Sequence, residues 1–283
     1  MTTHPATLIP EGACDCHAHV FGPYDAFPVV HQMHYEAPLA TATMHAGMLA
    51  KAGLSRGVLV QPGAYGDDAS PILDALTKAN GRLRGIAAAH KDIDDETLDR
   101  WHAAGIRGLR FNEMTIPGGT GRFAGSVGFR DLDALAPRMK SRGWHAEIWA
   151  SIEQHVDLLP CYRAWGIPIC LDHMASVISS RGPDDPAFSA ILSALSEGWL
   201  WIKLVTTRCS QNFPNYPDLA VFHQALAQVR PDRLVWGSDW PHLRLGPKTP
   251  DVEDLLMLLA EWIPDDATRE LILAHNPAAL YGF

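Results

Sequence analysis

The sequence predicts an α/β fold, a single (β/α)8 barrel of the TIM type that spans residues 1–283. Eight short apolar runs rich in β-branched residues alternate with stretches of helical period, which is the pattern of repeated β–α units around a parallel sheet. Several helical stretches end in a glycine just before the next run, as expected for left-handed C-terminal caps, namely Gly53, Gly105, Gly143, Gly166 and Gly198. The length of 283 residues suits this fold, since such barrels need about 250.

The alternation runs from one end of the chain to the other. The predicted strands are residues 13–20, 57–61, 83–90, 106–112, 144–149, 168–173, 200–205 and 233–239. Helical period is found over residues 43–52, 96–104, 132–142, 186–195, 219–229, 252–262 and 267–280. Two segments, 21–38 and 115–128, are long loops punctuated by glycine and proline, and long loops in a barrel are usually functional.

Composition excludes several classes of protein. Hydrophobic residues make up 47% and charged residues 19%, so the chain can build a large core. The formal net charge is −9 and the basic residues occur singly, which argues against nucleic acid as a partner. Residues 1–12 lack the pattern of a signal peptide and no apolar run approaches ~20 residues, so we expect a cytoplasmic protein without a membrane partner.

Five cysteines are present, and their spacing matches neither a disulfide framework nor a zinc ribbon. Cys14 and Cys16 lie two residues apart in the first predicted strand. We interpret them as small buried apolar residues.

Polar residues follow nearly every predicted strand. In a (β/α)8 barrel the active site is built at the C-terminal ends of the strands, so these residues are the candidates for chemistry. In strand order they are His17 and His19, Gln61, His90, Arg110 and Asn112, Glu147 and Trp149, Asp172 and His173, Lys203 and Arg208, and Ser238 and Asp239.

The spacing of His17 and His19 places both imidazoles on one face of the first strand. Such a pair alone is a weak signal, because two histidines with structural duties would produce it too. The pair becomes informative together with His173 on the sixth strand and Asp239 on the eighth. Imidazoles and a carboxylate that converge on one cavity can activate water, either as metal ligands or as hydrogen-bonding groups and bases.

The same residues carry a family resemblance. Residues 15–23 read DCHAHVFGP and residues 236–242 read WGSDWPH, with LDHM at 171–174 and NPAALY at 276–281. These segments resemble the first-strand, last-strand and intervening motifs of the amidohydrolase superfamily, family 2, whose barrels have the metal-dependent-hydrolase-like fold. The resemblance covers nearly the whole chain and is greatest to the branch that contains pyrone dicarboxylate lactonases.

What the resemblance implies is a hydrolase that opens a lactone, a cyclic ester, without a bound metal. Asp239 would take a proton from the attacking water and return it to the ring oxygen, while His17, His19 and His173 would polarise the lactone carbonyl. The resemblance also implies a substrate pocket for a small, carboxylated, aromatic-derived lactone, lined by Arg110, Arg208, Tyr35, Trp149 and Gln61.

The chain departs from this branch at two positions. Trp149 stands where a tyrosine is expected, and Gly63 replaces a serine in the loop after the second strand. Both changes would alter the contacts between the protein and its substrate.

Two alternatives remain open. An inward Glu147 could complete a Zn²⁺ or Mn²⁺ site with His17, His19, His173 and Asp239, which would make the protein a metal-dependent amidohydrolase or decarboxylase. Lys203 could face the pocket or pair with an acid in a lower layer of the barrel. The second alternative to lactone hydrolysis is a catalytically silent barrel that only binds a small molecule, and the presence of Asp239 disfavours it. No cofactor is favoured, and the sequence predicts no oligomeric state.

Overall fold

The computed structural model describes residues 9–33, 35–116, 119 and 121–283. Most of the segment on which the absence of a signal peptide was predicted therefore lies outside the described residues. So do single positions of the two long loops, at 34, 117, 118 and 120.

Eight parallel strands form one sheet in chain order, as the sequence predicts. They are β1 (Cys14–Ala18), β2 (Arg56–Val60), β3 (Leu83–Ala87), β4 (Ile106–Asn112), β5 (His145–Trp149), β6 (Ile169–Leu171), β7 (Leu200–Leu204) and β8 (Leu234–Trp236). Several predicted strands were too long at their C-terminal ends. His173 and Asp239 lie in the loops that follow β6 and β8 rather than within those strands.

The last and first strands meet and bring the barrel close to closure. The amide of His19 donates to the Trp240 carbonyl and the amide of Asp239 donates to the His17 carbonyl, both at 2.8 Å. A Cβ on Gly237 would lie 2.5 Å from the His17 Cβ, so only glycine lets the two strand ends approach this closely.

The helices fill the intervals between the strands. They are α1 (Ala42–Lys51), α2 (Ser70–Lys78), α3 (Asp95–Ala104), α4 (Phe129–Ser141), α5 (Ile152–Trp165), α6 (Pro186–Ser196), α7 (Ala220–Val229), α8 (Val252–Trp262), α9 (Asp266–Glu270) and α10 (Asn276–Tyr281), with a π-helical turn, Leu271–His275, between the last two. The five glycines predicted to cap helices all have positive φ. Within the described ranges, no helix is both long enough and apolar enough to cross a membrane.

Two helices, α2 and α5, were not named from the sequence. Pro71 stands at the start of α2 and Pro160 lies inside α5. Proline weakens the helical signal in a sequence, although the first turn of a helix tolerates it well.

The core has two main parts. The larger one lies between the outer face of the sheet and the helices. The smaller one gathers inward side chains of the strands, among them Cys14, Cys16, Val58 and Val60, and includes Tyr281 from α10. Both cysteines are fully buried and free, which confirms their interpretation as small apolar residues.

Candidate active site

Three imidazoles surround one carboxylate oxygen at the C-terminal end of the barrel. The Nε2 atoms of His19, His17 and His173 lie 3.5, 3.7 and 3.8 Å from Oδ1 of Asp239. All four side chains are buried. The residues that the sequence singled out on the first, sixth and eighth strands therefore form one cluster.

Two members of this cluster have a backbone conformation that ordinary residues avoid. His173 has a φ of 49° and Asp239 a φ of 65°, both in the left-handed region. Such residues cost energy, and they persist where the surrounding structure holds them. Here the amide of Asp239 is held by the His17 carbonyl, and the Cys209 thiol contacts the His173 carbonyl at 2.9 Å.

Asp15 ties the two signature motifs together below the imidazoles. Its carboxylate accepts hydrogen bonds from the amide and hydroxyl of Ser238, at 2.9 and 2.6 Å, and from the amide of His17, at 3.1 Å. Burial raises the pKa of Asp15 to about 6, against the hydrogen bonds from Ser238, which lower it. Asp15 therefore fixes the position of His17 relative to the strand end that carries Asp239.

The electrostatics of Asp239 favour its ionised form. Burial alone would raise the pKa of Asp239, but the charge of Arg208 and the nearby side chains of His173 and His19 outweigh it and hold the pKa well below its usual range. Nε of Arg208 donates to Oδ2 of Asp239 at 2.5 Å. Since Arg208 occupies Oδ2, Oδ1 is the oxygen that faces the imidazoles and can accept a proton.

The imidazoles of His17 and His173 are neutral at physiological pH, because the pKa of each is lowered. Burial lowers the pKa of His17 to about 3, although nearby Asp172 opposes the shift. Burial also lowers the pKa of His173. A ring nitrogen of His19, Nδ1, lies 2.7 Å from the Val60 carbonyl, so Nδ1 carries the proton. With one ring proton, at Nδ1, Nε2 of His19 has a lone pair.

A buried ionic cluster lies directly behind His17. Nζ of Lys203 is 2.5 Å from Oε2 of Glu147 and 3.1 Å from Oδ1 of Asp172. Burial would lower the pKa of Lys203, but Asp172 and Glu147 outweigh it and raise the pKa above its usual value. The Tyr281 hydroxyl donates to Oε1 of Glu147 at 2.8 Å. Lys203 thus pairs with acids in a lower layer, which was one of the two alternatives predicted for it.

Two groups of described side chains place possible metal ligands within 4.8 Å of one another: His17, His173 and Asp239, and His17, Glu147 and Asp172. The second group surrounds the Lys203 ammonium, which already occupies its centre. The first would need a lone pair at Nε2 of His17, yet Nδ1 of this ring lies 3.1 Å from Lys203 Nζ. An ammonium can only donate, so in the neutral ring the proton sits on Nε2. With this tautomer, His17 cannot coordinate a metal ion through Nε2.

A cavity opens above the cluster. The described residues of its wall include Asp239 as the one acidic side chain, together with three arginines, Arg110, Arg208 and Arg244. Tyr35 also lines it; burial raises the pKa of Tyr35 to about 12, although the three guanidinium charges lower it. The arginines make this cavity suitable for an anion.

The other residues predicted to bind substrate occupy two kinds of position. Trp149 lines the cavity, with the Arg110 guanidinium 5.7 Å from its ring centroid. Gln61 instead uses its side chain on backbone groups: it donates to the Gly66 carbonyl at 2.7 Å and accepts from the Ala88 amide at 3.0 Å. The Gln61 carbonyl accepts from Nη1 of Arg110 at 3.1 Å. Gln61 thus positions Arg110.

Sequence reasoning missed several wall residues because they lie on loops without a motif. The Phe123 ring stacks on Trp149 at 5.7 Å and 7°, and the Arg244 guanidinium lies 5.8 Å from the Phe123 centroid. The predicted importance of the loop at 115–128 was the one available signal for Phe123. Gly63 faces the same loop: a Cβ there would lie 2.7 Å from the Ala124 carbonyl oxygen, so a serine would require the loop to move.

Comparison with known proteins places this site in a family. A profile of the amidohydrolase family matches residues 14–283. The chain is 35% identical to a 4-sulfomuconolactone hydrolase of Rhizobium radiobacter, over 97% of this chain and 91% of the relative. It is 29% identical to a 2-pyrone-4,6-dicarboxylate hydrolase of Comamonas testosteroni, over 98% and 92%.

A solved structure shows the same relationship. A probable 2-pyrone-4,6-dicarboxylic acid hydrolase from Acinetobacter baumannii, with citric acid bound, superposes with a TM-score of 0.80 at 26% identity. The match covers 96% of this chain and 100% of the other. The profile match and the 35% identical relative show that the chain belongs to the amidohydrolase family.

Proposed function

We propose that the protein hydrolyses the ester bond of a small anionic lactone without a metal ion, with Asp239 as the general base. The observation that carries the proposal is an ionised carboxylate among imidazoles, of which His17 and His173 have lowered pKa values, at the floor of a cavity lined by three arginines. Relatives named for lactone hydrolysis support the reaction class.

The substrate binds through its anionic groups. Arg110 and Arg244 reach the cavity from β4 and from the loop after β8, and both guanidinium groups can form paired hydrogen bonds with a carboxylate or sulfonate. Trp149 and Phe123 are stacked on each other, and their rings bound the space available to a flat lactone. The proposal assigns Arg208 a double role, because it touches Asp239 and also lines the cavity.

The reaction consumes one water molecule. Asp239 Oδ1 removes a proton from water, whose oxygen bonds to the lactone carbonyl carbon, and the lone pair of His19 Nε2 helps to orient that water. His17 and His173 stabilise the oxyanion of the tetrahedral intermediate. When this intermediate collapses, the ring C–O bond breaks and Asp239 returns the proton to the departing ring oxygen. The products are a hydroxyl and a carboxylic acid on one open chain, and the acid ionises to a carboxylate and releases one proton to the solvent.

A substrate panel tests this proposal. Ring opening of 2-pyrone-4,6-dicarboxylate, 4-sulfomuconolactone and neutral 2-pyrone is followed by proton release at constant pH, before and after exhaustive chelation. We expect at least one anionic lactone to turn over much faster than neutral 2-pyrone, with the same rate after chelation. Loss of activity on chelation and its return with zinc or manganese would overturn the metal-free proposal and favour a metal-dependent amidohydrolase.

Arginine variants test the recognition of the anion. Arg244→Met should raise KM for the anionic lactone by at least about 10-fold, because hydrogen bonds to charged groups contribute about 1.5–3 kcal/mol. Arg107→Met is the matched control, since Arg107 donates to the His102 and Ile106 carbonyls at the barrel exterior. Equal KM values for both variants would show that Arg244 does not bind the substrate.

A further inference from the structure

Lys203 makes one contact that its role as a buried counterion does not require. Its ammonium has three N–H bonds and three neighbours: Oε2 of Glu147 at 2.5 Å, Oδ1 of Asp172 at 3.1 Å and Nδ1 of His17 at 3.1 Å. Lys203, Glu147, Asp172 and His17 are all fully buried. Glu147 and His17 are hydrogen-bonded to the ammonium, Asp172 forms an ion pair with it, and the contact with His17 belongs to the active site.

The contact with Lys203 selects one form of His17. Because an ammonium has no lone pair to offer, Nδ1 of His17 must accept, and the single proton of the neutral ring resides on Nε2. Nε2 lies 3.7 Å from Oδ1 of Asp239, so the N–H bond is in the centre of the imidazole cluster. Oδ1 of Asp172 lies 3.4 Å from the same Nδ1 and would accept its hydrogen if the ammonium were absent.

His19 has the opposite arrangement. Its Nδ1 donates to the Val60 carbonyl, as a metal-ligating histidine usually donates to a carbonyl or carboxylate, and its Nε2 bears a lone pair. At Nε2, His17 therefore presents an N–H, whereas His19 presents a lone pair that can accept from a water molecule.

We propose that Lys203 is a positioning residue that holds His17 as an N–H donor for the reacting lactone and thereby prevents His17 from acting as a metal ligand. This inference extends the proposed metal-free hydrolysis. The part that rests on that proposed function is the role of the His17 N–H as a donor to the lactone. Removal of the ammonium lets His17 donate through Nδ1 to Asp172. The lone pair then appears at Nε2, and His17 joins His19 and Asp239 in a set of ligands that suits Zn²⁺.

The test uses a charge-neutral replacement. Lys203→Met alone would leave two buried carboxylates without their cation, so it is combined with Glu147→Gln, which removes one negative charge along with the positive one. Tyr281→Phe is the control: it deletes a hydrogen bond to Glu147 in the same layer but leaves all three neighbours of Lys203 in place.

The first measurement is ¹⁵N NMR of ring-labelled histidine, with His17 assigned by comparison with His17→Gln. We expect the wild type and Tyr281→Phe to carry the His17 proton on Nε2 and the double variant to carry it on Nδ1. This readout needs no substrate, so it decides the inference even if the protein fails to open any lactone. A wild-type His17 protonated on Nδ1 would overturn the inference whether or not the double variant folds.

The second measurement is zinc binding and turnover. The folded double variant should bind one Zn²⁺ at least about 10-fold more tightly than the wild type, and its metal-free kcat should fall by about 100-fold, the usual effect of a lost oxyanion donor, while KM changes little. A folded double variant with wild-type kcat, wild-type zinc affinity and the Nε2 proton retained would show that Lys203 has a structural role alone.

Discussion

Replacement of Asp239 by asparagine removes the proposed base with almost no change in shape. The amide oxygen of asparagine can still accept the hydrogen bond from Nε of Arg208, which lies 2.5 Å from Oδ2 in the native protein. What disappears is the negative charge and the capacity to take a proton at Oδ1. The substitution therefore separates the chemistry of Asp239 from its role in the packing of the cluster.

The expected magnitude follows from the two functions of the carboxylate. A positioned general base contributes about 10²–10⁴-fold, so Asp239→Asn should lower kcat by at least about 100-fold. Arg208 loses its counterion, and a broken buried pair costs about 3–5 kcal/mol. The cost here should be smaller, about 2 kcal/mol, because the Arg208 side chain is 13% exposed and also donates to the Leu243 carbonyl. The released charge on Arg208 should leave KM for an anionic lactone unchanged or lower.

The assay is steady-state ring opening by proton release, with circular dichroism and urea unfolding to show that the variant is folded. Thr207→Val is a suitable control, since the Thr207 hydroxyl lies 3.4 Å from Oδ2 of Asp239 and its loss leaves the base intact. We expect Thr207→Val to keep kcat within about 5-fold. A folded Asp239→Asn protein with kcat within about 10-fold of the wild type would refute the assignment of Asp239 as the base.

Two further predictions concern pH. The value of kcat/KM should be constant from about pH 5 to 8, because the pKa of His17 is about 3 and the pKa of Asp239 lies well below its usual range; an acid limb near pH 6–7 would point to an imidazole as the base instead. Stability should depend on Asp15, whose pKa rises with burial from 3.8 to about 6, so that between these values the folded protein holds a proton that the unfolded chain has lost. The free energy of unfolding should therefore fall by up to ~3 kcal/mol as pH rises from about 4 to 6, at 1.36 kcal/mol per pKa unit. Urea unfolding should show this slope in the wild type, while an equal slope in Asp15→Asn would assign it to another group.

The regular alternation of strands and helices was predictable because it follows from local patterns. The order of strands in a barrel then dictates which strand ends are neighbours, so residues far apart in sequence, such as His17 and Asp239, could be placed together. Alternation along β4 likewise predicts that Arg107 and Arg110, three residues apart, lie on opposite faces of the strand. In the structure Arg110 lines the cavity and Arg107 binds exterior carbonyls.

Loop conformations could not be predicted in this way. Phe123 and Arg244 reach the cavity from loops whose paths depend on contacts such as the close approach of Gly63 to the Ala124 carbonyl. No periodic pattern encodes such a contact. The position of the His19 proton is hidden from the sequence for a similar reason, because the carbonyl that accepts it belongs to Val60 on the neighbouring strand.

Alternation along a strand predicts the direction of a side chain but not its depth in the barrel. His145, Glu147 and Trp149 share one face of β5, as the sequence indicates, yet they lie in different layers. Trp149 reaches the cavity wall, whereas Glu147 contacts Lys203 and Tyr281. Depth depends on the register between strands, which pairs Glu147 with Arg110 on one side and with Cys170 on the other.

A further irregularity lies in β1, where the register with β2 shifts between Asp15 and Ala18. Strict alternation would send Cys16 and His17 to opposite faces, but Cys16 packs with inward Val60 and His17 contacts inward Lys203. The shift therefore brings His17 within reach of the ammonium. The alternative in which Glu147 is a metal ligand requires its carboxylate to reach the imidazoles directly. In the structure the Lys203 ammonium lies between the Glu147 carboxylate and the His17 imidazole, and it supplies a positive charge at this place.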